Sequence, residues 1–204
     1  MRLIAVTLSV LALTAIASAQ RPASDEVVIP QPAAGVGLCA PFGCSTRIQQ
    51  VFDASTFPSM IRIDALDLFN NFEQSAEGFV EPAHYQFFLS TTETSSATAT
   101  ADMDGNLGRE HRLVAQFTVF DFNTFFTGAL RIRLDAPFVY NPRHGNLLLE
   151  IKKDQTADFG DGPIYVDGSP TAPGVALVTD QFGAQPSLGM SVGFAGQFLG
   201  PFRQ

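Results

Sequence analysis

Apolar and polar residues alternate along this chain with a period of two. Ile61, Ile63 and Ala65 are interleaved with Arg62 and Asp64, and Leu130, Ile132 and Leu134 with Arg131, Arg133 and Asp135. Successive side chains of a strand point to opposite faces, so this spacing predicts half-buried antiparallel strands. Residues 47–52, 84–90, 113–120, 146–152, 163–166, 175–179 and 188–194 read as further strands, and no convincing amphipathic helix stands among them. Turn signals separate the runs, among them Asn141-Pro142, Gly160-Asp161-Gly162-Pro163 and Asp167-Gly168-Ser169-Pro170. Such a series predicts a mainly β fold, a two-sheet antiparallel β-sandwich of jelly-roll-like type.

The phase of the alternation slips after Ala65, where Leu66 and Leu68 carry the apolar face on one residue out of step. An extra residue near Ala65, forming a β-bulge, returns both halves to the core. Nineteen Phe supply much of that core, each burying about 150 to 250 Å². Residues 91–103 are rich in Ser, Thr and Ala, and are expected as either a mobile surface loop or an edge hairpin of small residues.

The N-terminus carries a different pattern. Arg2 precedes an apolar run from Leu3 to Ala17, and Ala17-Ser18-Ala19 stands directly before Gln20. One positive charge, a short apolar stretch and small residues at the peptidase positions read as a secretory signal peptide over 1–19, cleaved between Ala19 and Gln20. The competing reading, a retained anchor, needs about twenty apolar residues, and this run is shorter. A lipoprotein would carry Cys where Gln20 stands, and the C-terminal residues have neither a hydrophobic tail nor a basic cluster. No membrane anchor is therefore expected in the mature chain. The expected organisation is a signal peptide at 1–19, a flexible Pro- and Ala-rich leader at 20–37, and a single β-sandwich domain at 38–204. The destination is secreted or extracellular, with the periplasm or cell surface as alternatives.

The chain has 12 Lys plus Arg against 20 Asp plus Glu, a formal charge of −8 that becomes −9 once Arg2 leaves with the signal peptide. Polyanions are repelled, which argues against nucleic acid as a partner. The only two cysteines, Cys39 and Cys44, flank a turn containing Pro41 and Gly43. In an oxidising compartment this pair reads as a structural disulfide, worth about 2 kcal/mol. A redox-active or metal-binding pair would favour two intervening residues where this chain has four.

Motifs that carry chemistry are sparse. Gly189-Met190-Ser191-Val192-Gly193 matches a nucleophile elbow in letters, yet no histidine or acid follows it, and the alternation around it reads as a final strand with Ser191 facing solvent. His84, His111 and His144 are at least 27 residues apart, without the short spacing that seats two imidazoles on one metal, and read as surface or loop residues. Asp102, Asp104 and Asn106 place oxygen ligands on alternate residues of a turn, a candidate calcium loop. The EF-hand pattern is not met, because position twelve would be Leu113. Asp154, Asp158, Asp161 and Asp167 form a second acidic stretch, and solvated turns are the alternative for both. A glycosidase needs two carboxyls about 5 to 10 Å apart; Glu150 comes nearest to a cleft acid, and alternation turns it outward beside Lys152. With no Trp and three Tyr, Tyr85, Tyr140 and Tyr165, sugar stacking has few platforms. Phe120, Phe122, Phe125 and Phe126 form either a partner surface or a core-lining strand and turn.

Three segments carry a family resemblance: 49–57, 88–92, and above all 137–151, Pro-Phe-Val-Tyr-Asn-Pro-Arg-His-Gly-Asn-Leu-Leu-Leu-Glu-Ile. The chain resembles a group of uncharacterised exported bacterial proteins, several of which carry a PEP-CTERM sorting tail, over roughly 40–194. The resemblance implies a secreted β-rich domain and brings no known catalytic residues. This chain departs from the group in lacking the tail motif. Read on its own chemistry, the last segment is a strand, a turn fixed by Pro142 and Gly145, and a second strand. The expected function is an exported non-enzymatic β-sandwich that binds or decorates a polysaccharide, matrix component or partner protein. The alternative is a secreted carboxylate-dependent polysaccharide hydrolase. No cofactor is expected beyond calcium at the Asp102 loop.

Overall fold

The structure is a computed structural model that describes residues 25–31, 36–71, 79–121, 125–154 and 164–200. The signal peptide with its Ala19/Gln20 cleavage point, Phe122, and Asp158 and Asp161 of the second acidic stretch lie outside these residues. In chain order the strands are β1 (Asp25–Ile29), β2 (Val36–Leu38), β3 (Arg47–Phe52), β4 (Ile61–Asn70), β5 (Ala83–Thr92), β6 (Arg112–Val119), β7 (Gly128–Tyr140), β8 (Asn146–Lys153), β9 (Val166–Ser169), β10 (Val175–Thr179), β11 (Gly183–Pro186), β12 (Gly189–Met190) and β13 (Val192–Phe198). All ladders among the described residues are antiparallel. They make a four-stranded sheet in the order β1-β13-β4-β7, a six-stranded sheet β11-β10-β3-β8-β5-β6, and a small third sheet β12-β9-β2.

The mainly β, antiparallel sandwich is as the alternation predicts. Ile61, Ile63, Leu66 and Leu68 of β4 and Phe194 of β13 belong to the same buried cluster as Phe52 of β3, Leu147, Leu149 and Ile151 of β8, and Tyr85, Phe87 and Leu89 of β5. Aromatic rings concentrate at two places in that core, edge-to-face in the first and partly stacked in the second. Phe52, Phe57, Tyr140 and Phe194 meet at 4.8 to 6.4 Å between centroids. Phe42, Tyr85, Phe87, Phe117 and Phe126 meet at 5.3 to 5.7 Å.

The register slip sits where the phase change predicts it. Against β13, Ile63 pairs Gly196 and Ala65 pairs Ala195, so Asp64 is the inserted residue of β4. Against β7 the break is larger: Ala65 pairs Arg133 while Ile63 pairs Phe138, leaving 134–137 as an excursion of β7 away from its partner.

Three expectations need correction. First, the proposed flexible leader contains two strands. β1 pairs β13 through five residues and β2 pairs β9, because Val27, Val28 and Ile29 have the apolar, β-branched character that completes a sheet edge. Second, the expected final strand 188–194 is broken at Ser191, with β12 joining the small sheet and β13 the four-stranded one. Ser191 is consequently buried, not solvent-facing, and its main-chain N–H donates to Asp167 O at 2.7 Å. Gln50 fastens the same corner: its side-chain amide accepts from Met190 N at 2.7 Å and donates to Met190 O at 2.8 Å, so a core-facing glutamine acts as a one-residue strand. Third, the strand expected at 163–166 begins only at Val166 and runs to Ser169.

The cysteines do form the disulfide Cys39–Cys44, with Cα atoms 5.5 Å apart. Phe42 at the tip of its loop is fully buried against Tyr85 and Phe126. Gly43 O accepts from the Lys153 ammonium, which is also ion-paired with Glu81. The loop is thus pinned to the core by a ring, a covalent bond and a buried charge pair.

Candidate functional site

β6 and β7 are the terminal strands of the two large sheets, and each has a ladder on one side only among the described residues. Their free edges face each other along one side of the sandwich. The excursion at 134–137 brings β7 toward β6, where Arg112 donates to Pro137 O at 2.6 Å and its guanidinium lies 5.2 Å from the Phe138 ring centre. Beyond this stitch the edges part, and a cleft of about 530 Å³ opens. Its walls are mainly apolar, with Ala115, Phe117 and Val119 on one side and Leu130 and Ile132 on the other. Arg131 and Arg133 stand among the lining residues of β7, and Asp121 is the one carboxylate of the described lining.

The phenylalanines at the mouth decide between the two readings made from sequence. Phe126 is half-buried and packs on Phe42, as a core-lining residue does. Phe120 and Phe125 are 89% and 67% exposed, which a core-lining role does not allow. Two exposed aromatics beside an apolar cleft have the composition of a recognition surface.

A second cluster lies on the outer face of the six-stranded sheet. Glu150 sits in one cross-strand row with Gln49 of β3 and Phe88 of β5, and Arg47 and Lys152 share the next row. Glu150 Oε1 accepts from Arg47 Nε at 2.7 Å and from Gln49 Nε2 at 2.9 Å, while Oε2 lies 2.7 Å from His111 Nε2 and 3.1 Å from Lys152 Nζ. His111 stacks on Phe88 with ring centres 4.6 Å apart. Alternation does direct Glu150 to the outer face, but that face is not solvent: the carboxylate is 0% exposed. Burial pushes the carboxyl up, and the hydrogen bonds from Gln49, Arg47 and Lys152 outweigh it, so its pKa is lowered and Glu150 is an anion. A glycosidase acid needs the opposite shift.

The cover is the Ser- and Thr-rich connection between β5 and β6. It is neither a mobile loop nor an edge hairpin but a strap fastened to the sheet. Gln49 Nε2 donates to Met103 O at 2.8 Å, Thr92 Oγ1 to Asn106 O at 2.8 Å, and Ser96 to both carboxylate oxygens of Asp53 at 2.7 Å. The candidate calcium residues all lie on this strap and serve different partners. Asp104 is 80% exposed and pairs with Arg47 at 2.7 Å, whose guanidinium holds its carboxyl below the usual range. Asn106 is buried, donating to Gln49 Oε1 and Thr100 O. Asp102 Oδ1 accepts from Gly105 N at 3.3 Å. Each of the three thus has its own protein partner, and no cluster of three His, Cys, Asp or Glu able to hold a metal occurs among the described residues. In the second acidic stretch, Asp154 accepts from His84 N and Asp167 from Asn71, so these two are also engaged separately.

On the outer face of the four-stranded sheet, Arg131 grips Asp67 through Nε at 2.8 Å and Nη2 at 2.5 Å, with Glu26 at 3.9 Å. Burial, then the charge and hydrogen bond of Asp67, raise the Glu26 pKa against the lesser opposite pull of Arg131. A Cβ at Gly193 would come within 2.3 Å of Glu26 Oε1, so this glycine leaves the space in which the carboxyl pair lies. The side chains of His84 and His144 make exposed contacts, to Thr118 and Asn141 respectively.

The sequence signal for the Glu150 cluster exists only in hindsight of pairing. Arg47, Gln49, Glu150 and Lys152 each read as alternating outer-face residues, and nothing local says that β3 lies beside β8 or that His111 is folded over both. No protein-family model matches the chain, and no characterised protein or solved structure is significantly similar to it.

Proposed function

We propose that the chain is an exported, non-enzymatic β-sandwich that binds a component outside the cell through the side on which β6 and β7 diverge. The observation that carries this reading is the pair of exposed rings, Phe120 and Phe125, at the mouth of an apolar cleft. Export is supported by the charge, apolar run and Ala-Ser-Ala pattern of residues 1–20. The disulfide, and the fact that no helix among the described residues is long and apolar enough to cross a membrane, are compatible with it. A non-enzymatic role is supported by the state of the carboxylates: Glu150 is a covered anion ringed by cations, and Asp67 is committed to Arg131. The test is a binding screen of the purified mature chain on immobilised polysaccharides and matrix proteins, beside a Phe120→Ser/Phe125→Ser variant. A ligand whose binding falls at least about tenfold in the variant supports the reading; binding indifferent to both rings removes the cleft from it, and turnover of a bound glycan removes the non-enzymatic claim.

A further inference from the structure

The cleft has three features that together specify an occupant. Its walls present mainly apolar side chains, with Gln116, Thr118, Asp121, Arg131 and Arg133 as the polar members of the lining. Both walls end in strand edges that lack a partner among the described residues, at Ala115–Val119 of β6 and Leu130–Arg133 of β7. Unpaired edges of this kind are templates for an added strand. On the β7 side the rim carries Arg133, while the neighbouring Arg131 is already held by Asp67 and Glu26. Arg133 is exposed and makes no ion pair among the described residues.

We infer that the cleft receives an extended peptide segment of a partner protein, added as a strand against β6, with apolar side chains set between the sheets and alternate carboxylates facing Arg133. This rests on the proposed binding face and names its partner class. Strand geometry supplies the selectivity. Residues of an added strand alternate between the cleft and the rim, so alternation of Val or Ile with Asp or Glu satisfies both surfaces. Main-chain hydrogen bonds supply affinity without sequence requirement, while the arginine favours one sign of charge. The opening stitched by Arg112 at Pro137 sets one end of the groove, and Phe120 and Phe125 cover the other.

The probe is an acetylated, amidated peptide of alternating Val and Asp, about ten residues and so roughly 33 Å long. It is titrated into the mature chain beside four comparators: the same peptide with Lys for Asp, two forms of the Asp peptide N-methylated at every second residue, one on each edge, and an oligouronate. The expected result is micromolar binding of the Asp peptide, with the Lys peptide at least about tenfold weaker and Arg133→Glu reversing that order. Methylation removes donors from one edge of the peptide, so the variant methylated on the paired side loses binding and that methylated on the other side keeps it. Absence of Asp-peptide binding at ~1 mM, or equal binding of both methylated forms, overturns strand addition. Oligouronate binding sensitive to Arg133→Glu, with no peptide binding, overturns the peptide partner and leaves the binding face of the proposed function standing. A thermal melt of Arg133→Glu keeps the comparison on folded protein, since the side chain is exposed.

Discussion

Glu150 shows how a single residue can be buried on the outside of a sandwich. Its carboxylate is surrounded by Arg47, Gln49, His111 and Lys152, of which Arg47, His111 and Lys152 keep partial contact with water. Neutralising it by Glu150→Gln removes the charge that these donors share and is expected to cost about 2 to 3 kcal/mol near neutral pH in a urea titration. The sign with pH follows from the lowered folded pKa: the contribution is in place above the ordinary value of 4.5 and is lost as pH falls through the lower folded value. Wild type and variant should therefore converge in acid, and a gap that stays constant down to pH 3 or so would show that the charge is not its source. Glu26 predicts the opposite. Its pKa is raised, so its favourable contribution is complete below 4.5 and disappears as pH rises through the folded value. Glu26→Gln, which keeps a donor for Asp67, should raise the melting temperature at neutral pH and leave it unchanged in acid. A variant less stable at neutral pH would assign Glu26 to Arg131 rather than to strain against Asp67.

At the scale of elements, the strap and the leader are the parts that sequence reading placed least well, although the strands around them were legible. Alternation identifies β3, β4, β5, β8 and β10 closely because each has an apolar face in the core. It also locates the bulge at Asp64, since a slip of one residue exchanges the faces of everything beyond it. Gly145 was legible for the same local reason: its φ of +140° is glycine's territory, and a Cβ there would lie 2.6 Å from Thr92 O. The strap was not legible, because Ser, Thr and Ala carry no periodic signal and its fastening depends on Asp53 and Gln49, distant in sequence. Lys153 illustrates the same blindness. It ends β8 on the core-facing side, and its ammonium is buried against Glu81 and Gly43 O, a role that cannot be told from that of exposed Lys152 beside it without the tertiary neighbours. Lys153→Met leaves the Glu81 carboxylate buried without its cation and is expected to lower stability by about 3 to 5 kcal/mol. Adding Glu81→Leu should restore most of that loss. If the double variant is as unstable as the single one, the packing of the disulfide loop, and not the stranded charge, dominates.

At the scale of the whole molecule, two aromatic clusters lie in the core, while along the β6 and β7 edges the stitch at Pro137 gives way to the cleft. An open apolar side is a liability for a chain at high concentration in a crowded cell, and it is a usable binding face for one that is exported. The proposed export would suit such a face, and the disulfide is compatible with it. Cys39 and Cys44 join across a loop whose Phe42 packs on Phe126, one of the residues lining the cleft. Expression of the full sequence in a bacterium with an intact secretory pathway is expected to yield a mature protein beginning at Gln20, with both cysteines unreactive to alkylation until reduced. Intact mass and N-terminal sequencing read the cleavage, and the mass shift on alkylation reads the disulfide. Reduction should lower stability by about 2 kcal/mol. A product that keeps residues 1–19 would replace release by anchoring, and reactive thiols in the recovered protein would place it in a reducing compartment, where the exposed Phe120 and Phe125 would need a different explanation.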